Sequence, residues 1–172
     1  MVGTKQPAED GKLTVLASGP TLPRDVVTPV FDAIGAKTVW LGEEAGPASA
    51  MKLVANSWVA TITAGAAFGI EQAKAFGLRP EQFLETVSGG AADSPYLQAK
   101  GRLIIEDGTA DAQFALDGVR KDLGLIREAD LAAGVPTVLV DALLEAYGRA
   151  SESGHGSGDI SAVAAAFRPE ED

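Results

Sequence analysis

Between Lys52 and Glu71 lie eighteen residues without a charge, Leu53 to Ile70. They are apolar or small on every side, so a helix made of them has no face suited to water and is predicted to be buried. The same run approaches the length of the shortest membrane span. Asn56, Ser57, Thr61, Thr63 and two glycines dilute it, however, and its flanks lack the basic and aromatic residues of an anchor. The run therefore predicts the central helix of a soluble domain with no membrane partner. Lys52 and Asn56 stand four apart near its start, which places them one above the other on a single helix face. An amine and an amide at the rim of a buried helix form a candidate site.

Upstream, residues 12 to 17, KLTVLA, and Lys37 to Leu41, KTVWL, are short β-prone runs. Between them, Val26, Val27, Val30, Phe31 and Ile34 recur at helical spacing, with Thr21 or Pro23 near the start and Gly35 at the end. Strand, helix and strand over about thirty residues make a βαβ unit. Two strands and one helix cannot cover both faces of a parallel sheet, so the unit reads as the end of a larger sheet.

From Gly42 onward the pattern is helical. The central helix stops at Phe76 and Gly77, Pro80 opens a short helix through Val87, and Gly89 and Gly90 break it. Ser94 and Pro95 start a helix to about Ile105, and the loop EDGTADAQF follows. Leu116 to Ala133 carries Leu116, Val119, Leu123, Leu125, Ile126 and Leu131 and ends at Gly134. Pro136 and Thr137 open a helix to about Ser151, with Val138, Val140, Leu143, Leu144 and Tyr147 as its apolar set. SESGHGSGD reads as a flexible turn or hinge, and Ile160 to Phe167 as a last short helix. The expected organisation is residues 1–41 as a remnant of one α/β domain and 42–172 as an all-α domain.

Composition narrows the chemistry. A net charge of -10 argues against a nucleic-acid surface, where clustered Lys and Arg are needed. With no cysteine and one histidine, thiol catalysis, disulfides and zinc thiolate sites are excluded and a metal site is not expected. The first residues, MVGTKQPAEDGK, are polar and show no signal peptide, which points to the cytoplasm.

Lys52 is the strongest single candidate. Apolar surroundings and the positive end of a helix dipole both disfavour an ammonium, so its pKa is expected to fall toward neutrality, and such a group can give a proton to an oxygen becoming an alkoxide. From spacing alone the alternative is a lysine whose stem covers the core while its amine reaches water. Asn56 suits either a substrate hydroxyl or carboxylate, or a neighbouring helix. Lys121 and Asp122 read as an exposed pair, His155 as a solvated loop residue, and Trp40 and Trp58 as core or interface.

In order along the chain, these features resemble the β-hydroxyacid dehydrogenase family, which includes 3-hydroxyisobutyrate dehydrogenases and glyoxylate or succinic semialdehyde reductases. GTKQPAEDGKLTVLASG resembles the end of its substrate-loop segment, and VFDAIGAKTVWLG its last βαβ piece. Gly42, Gly46, Lys52 and Asn56 resemble its glycine-rich turn with the catalytic lysine and the asparagine one turn on. Phe114, Lys121 and Asp122 resemble its Phe then Lys-Asp element, and GDISAV its C-terminal Asp-x-Ser-Ala helix. The resemblance implies a mainly α fold: an all-helical C-terminal domain like that of 6-phosphogluconate dehydrogenase, preceded by a βαβ remnant of a Rossmann domain.

It also implies hydride exchange between NADP or NAD and a small β-hydroxyacid or its carbonyl counterpart. Lys52 handles the proton, Asn56 holds the substrate, and Gly3 and Thr4 bind its carboxylate through backbone N–H groups. Lys121 and Phe114 meet the nicotinamide end of the cofactor, and the helical domain forms a homodimer. Val2 stands where the family's loop serine is found. No G-x-G-x-x-G turn is present, so the chain is expected to be a truncated part of a longer enzyme and inactive alone. A non-enzymatic helical dimerisation module, or an imine-reductase-like relative, is the alternative.

Overall fold

A computed structural model of the chain describes residues 1–169. They form two compact units, Met1–Asn56 and the part from Ser57 onward.

The first unit holds α1 (Lys5–Glu9), β1 (Leu13–Ala17), α2 (Arg24–Ile34), β2 (Gly35–Trp40) and the first turns of α3 (Pro47–Ala75). The two strands run parallel from Leu13 opposite Gly35 to Ala17 opposite Trp40, with an irregularity after Leu13. This is the expected βαβ unit, although β2 begins at Gly35 with no loop after α2. Phe31 of α2 stacks obliquely on Trp40, centroids 6.0 Å apart, and the Arg24 guanidinium lies 4.6 Å over the same ring. Both contacts turn α2 toward the end of β2. The other flank of α2, with Val26 and Val30, faces solvent, as does Leu22 just before it. Sequence reasoning missed α1, which has Pro7 in its first turn and no apolar periodicity.

The second unit is helical: the rest of α3, α4 (Pro80–Val87), α5 (Pro95–Ile105), α6 (Leu116–Ala133) and α7 (Val138–Ala150). A π turn, Ser151–His155, and a 3₁₀ segment, Ile160–Phe167, complete it. Ser94 caps α5, its hydroxyl accepting from Leu97 N–H at 3.0 Å. α6 packs on α7, and the 3₁₀ segment packs on α5, α6 and α7. Ile70, Ile104, Leu116, Leu123, Tyr147 and Val163 are the fully buried centre.

α3 corrects the expectation of a helix buried on every side. Its buried line is made of small residues, Ala60, Thr63, Ala64, Ala66 and Ala67, with Ile70, while Val54, Trp58 and Phe68 are exposed and Trp58 is 64% accessible. Small side chains let neighbouring elements approach the helix closely, so the large ones project from the opposite flank. By length and composition alone α3 could cross a membrane. Leu125 and Leu131 of α6, and Val138 of α7, are likewise exposed rather than core.

The segment from 151 to 159 combines a π turn with two buried residues. The π turn bends at Gly154 (φ 91°), Gly156 is buried, and Asp159 is fully buried.

Candidate functional site

In the first unit, the end of β1 and the start of α3 are stitched together. Gly19 N–H donates to Gly42 carbonyl at 3.2 Å, Leu41 N–H to Ala17 carbonyl at 2.8 Å, and Ala48 N–H to Ser18 Oγ at 3.2 Å. Thr21 Oγ1 donates to the Glu43 carboxylate at 2.5 Å. Gly46, at φ 118°, turns the chain into α3 in a conformation open mainly to glycine. The result is a hollow of about 670 Å³ at the carboxyl ends of the two parallel strands, with Met1, Ser18, Gly19, Trp40, Gly46 and Ser49 on its walls. That end of a parallel sheet is where ligands of open α/β folds bind.

The loop of residues 1 to 4 reaches the same place. Val2 forms an antiparallel bridge with Thr14, N–H to carbonyl in both directions at 2.8 and 2.9 Å. Gly3 follows at φ 139°, packed so closely that a Cβ there would lie 2.6 Å from Leu13 Cδ2. Thr4 then opens α1. Lys52 is half-buried and Asn56 buried, one turn apart on α3 as the spacing required. Burial lowers the pKa of the Met1 amino group, and the positive charge of Lys52 lowers it further.

In the second unit, Phe114 ends the loop before α6. Its Cε2 would lie 3.3 Å from a Cβ on Gly118, so the ring rests on the first turn of that helix. Lys121 and Asp122 come three and four residues after Gly118, on the same face. Lys121 Nζ pairs with Asp122 Oδ1 at 2.7 Å, and the lysine side chain is 70% exposed. Phe114 therefore stands at the first turn of α6, with Lys121 one turn further along it. His155 is half-buried and Trp40 packed, as described, while Trp58 is exposed. Among the described residues, no three His, Asp or Glu side chains gather as a metal site would require.

Sequence reasoning passed over a buried polar cluster in this unit. Asp159 accepts hydrogen bonds from Lys100, Gln113 and Ser161. Tyr96 and Thr63 share a 2.6 Å hydrogen bond, and Tyr147 Oη donates to Ala60 carbonyl at 3.1 Å. The only sequence signal was a carboxylate within the GDISAV motif.

The family described as the NAD-binding domain of NADP-dependent 3-hydroxyisobutyrate dehydrogenase matches residues 46–167. The chain belongs to that family. Membership in the 3-hydroxyisobutyrate dehydrogenase family makes a nicotinamide dinucleotide the cofactor. The Salmonella typhimurium 3-hydroxyisobutyrate dehydrogenase structure shares the fold at a TM-score of 0.85 and 26% identity, over 95% of this chain and 57% of that one. Glyoxylate/succinic semialdehyde reductase 2, chloroplastic, of Arabidopsis thaliana is 34% identical over 96% of this chain and 46% of its own length. The cytokine-like nuclear factor N-PAC of Aedes aegypti is 33% identical over 94% of this chain and 28% of its own length. The chain thus spans about half the length of the enzymes it matches, and less of the nuclear factor.

Proposed function

We propose that this chain is the substrate-facing and helical part of an NAD(P)-dependent oxidoreductase that interconverts a small β-hydroxyacid and its carbonyl form. The observation that carries the reading is the placement of Lys52, half-buried, and Asn56, buried, one turn apart on α3, the helix whose first residues, Ala48 and Ser49, line a hollow at the strand ends. The cofactor supplies and accepts hydride. Lys52 gives a proton to the substrate oxygen on reduction and takes it back on oxidation. Asn56, buried and one turn on, orients the substrate through its amide. Backbone N–H groups at Gly3 and Thr4 hold the carboxylate. Phe114 and Lys121 meet the nicotinamide end of the cofactor. The domains are 1–41 and 42–172, the enzyme is a soluble cytoplasmic homodimer, and the exposed flank of α3 supports pairing through the helical part.

Glyoxylate and succinic semialdehyde head the substrate panel, because the Arabidopsis relative is named for them. The full-length protein is expected to consume NADPH or NADH with at least one small aldehyde acid, and the purified 172-residue chain to consume neither, since it carries no dinucleotide-phosphate turn. Absence of both turnover and nicotinamide binding in the full-length protein contradicts the enzyme reading. Similarity to a nuclear factor favours one second reading, a module that keeps the fold without the chemistry. Nicotinamide binding without turnover on any aldehyde acid or hydroxyacid distinguishes it.

A further inference from the structure

Asp159 lies forty-five residues from Phe114 in sequence, yet it holds the segment on which Phe114 rides. Asp159 Oδ2 accepts from Gln113 backbone N–H at 3.1 Å. Ile160 N–H donates to Phe114 carbonyl at 2.8 Å, and Leu116 N–H donates to Gly158 carbonyl at 2.9 Å. Ala115 and Asp159 form an antiparallel bridge. Asp159 N–H in turn donates to Thr109 carbonyl at 2.7 Å, which fixes the far end of the same loop.

The carboxylate cannot shift away from these contacts. Its Oδ1 accepts from Lys100 Nζ at 2.6 Å, Ser161 Oγ at 2.6 Å and Ser161 N–H at 3.1 Å. Asp159 is fully buried and the Lys100 side chain only 13% exposed. A buried carboxylate with four donors has little freedom to move without leaving a charge uncompensated. Such a network is more than a core contact requires, because its backbone partner is the residue directly before Phe114.

We infer that the Lys100–Asp159 pair is a positioning device for Phe114, and through it sets the surface that the nicotinamide end of the cofactor meets. The inference rests on the reading of Phe114 as a cofactor contact. Asp159 touches neither cofactor nor substrate in this scheme and acts only through residues 113 to 116.

The test uses the full-length protein and four variants: Phe114→Ala, Asp159→Asn, the two combined, and Lys100→Met with Asp159→Asn, which removes both charges and so keeps a foldable control. Amide hydrogen exchange is followed without cofactor, and affinity is read from nicotinamide fluorescence with whichever of NADPH or NADH the parent binds. Each Asp159 variant that folds is expected to speed exchange at Gln113 and Ile160 and to weaken cofactor binding about tenfold, the effect of one lost hydrogen bond. Adding Asp159→Asn to Phe114→Ala is expected to cause little further weakening, because both act on one contact. If Phe114→Ala weakens binding while the Asp159 variants lower only the melting temperature, the inference is overturned and the cofactor reading stands. Unchanged binding by Phe114→Ala removes both.

Discussion

Asp159, Tyr96 and Tyr147 carry the residue-scale consequences that solution measurements reach most easily. Burial alone pushes the Asp159 carboxyl up, but hydrogen bonds from Lys100 and Ser161 outweigh it, and the pKa lies below the ordinary value. A depressed carboxyl pKa stabilises the fold above the unfolded value of about 3.9, and that contribution is lost as pH falls through the folded value. The melting temperature is therefore expected to drop on acidification below about pH 4, and Asp159→Asn to flatten that dependence. Asp159→Ala, which strands a mostly buried Lys100, is expected to cost about 3–5 kcal/mol in chemical denaturation. The two tyrosines are the only ones in the chain. Burial raises the pKa of each, most for Tyr147, against the opposing hydrogen bond with Thr63. Phenolate absorbance is thus expected to stay silent past about pH 10 and to appear with unfolding, and stability to fall as pH rises beyond that point. Appearance of phenolate at the ordinary value in folded protein contradicts this packing. Beyond the Asp159 carboxylate of the GDISAV motif, the cluster was not legible in sequence, because tyrosines, a threonine and an aspartate scattered over several elements have no spacing that announces them.

At the scale of elements, punctuation was legible and orientation was not. Ser94 and Pro95, Pro80, and Gly134 mark helix ends where the structure has them, since caps and breakers act within a few residues. Which flank of α3 is buried depends instead on partners far away in sequence: a run apolar all round carries no stripe to say that Ala60 and Ala67 face inward and Trp58 outward. The packing of α4 on α5 supplies an element-scale prediction. A Cβ on Gly101 would lie 2.6 Å from Cδ2 of Leu84, which is itself buried. Gly101→Ala is expected to destabilise the protein by about 1–3 kcal/mol through overpacking, despite the better helix propensity of alanine. Pairing Gly101→Ala with Leu84→Ala is expected to recover part of that loss relative to the sum of the single changes, as read by a double-mutant cycle.

Across the whole molecule, two compact units divide the proposed labour. The βαβ unit carries the loop of Gly3 and Thr4, the hollow at the strand ends, and Lys52 and Asn56; the helical unit carries Phe114 just before α6 and Lys121 on it. The Lys52 and Asn56 spacing was legible because two positions four apart on a helix are neighbours in any context. The approach of the loop of residues 1 to 4 to β1 was not, because it depends on a bridge between Val2 and Thr14 that no local pattern encodes. Proton transfer by a positioned side chain typically contributes about 10²–10⁴-fold to rate. The most direct measurement is steady-state turnover of full-length Lys52→Ala with glyoxylate or succinic semialdehyde, alongside its nicotinamide affinity and melting temperature. The account predicts a rate loss of about 10²–10⁴-fold with cofactor affinity and stability nearly unchanged. Turnover within a few-fold of the parent would contradict it.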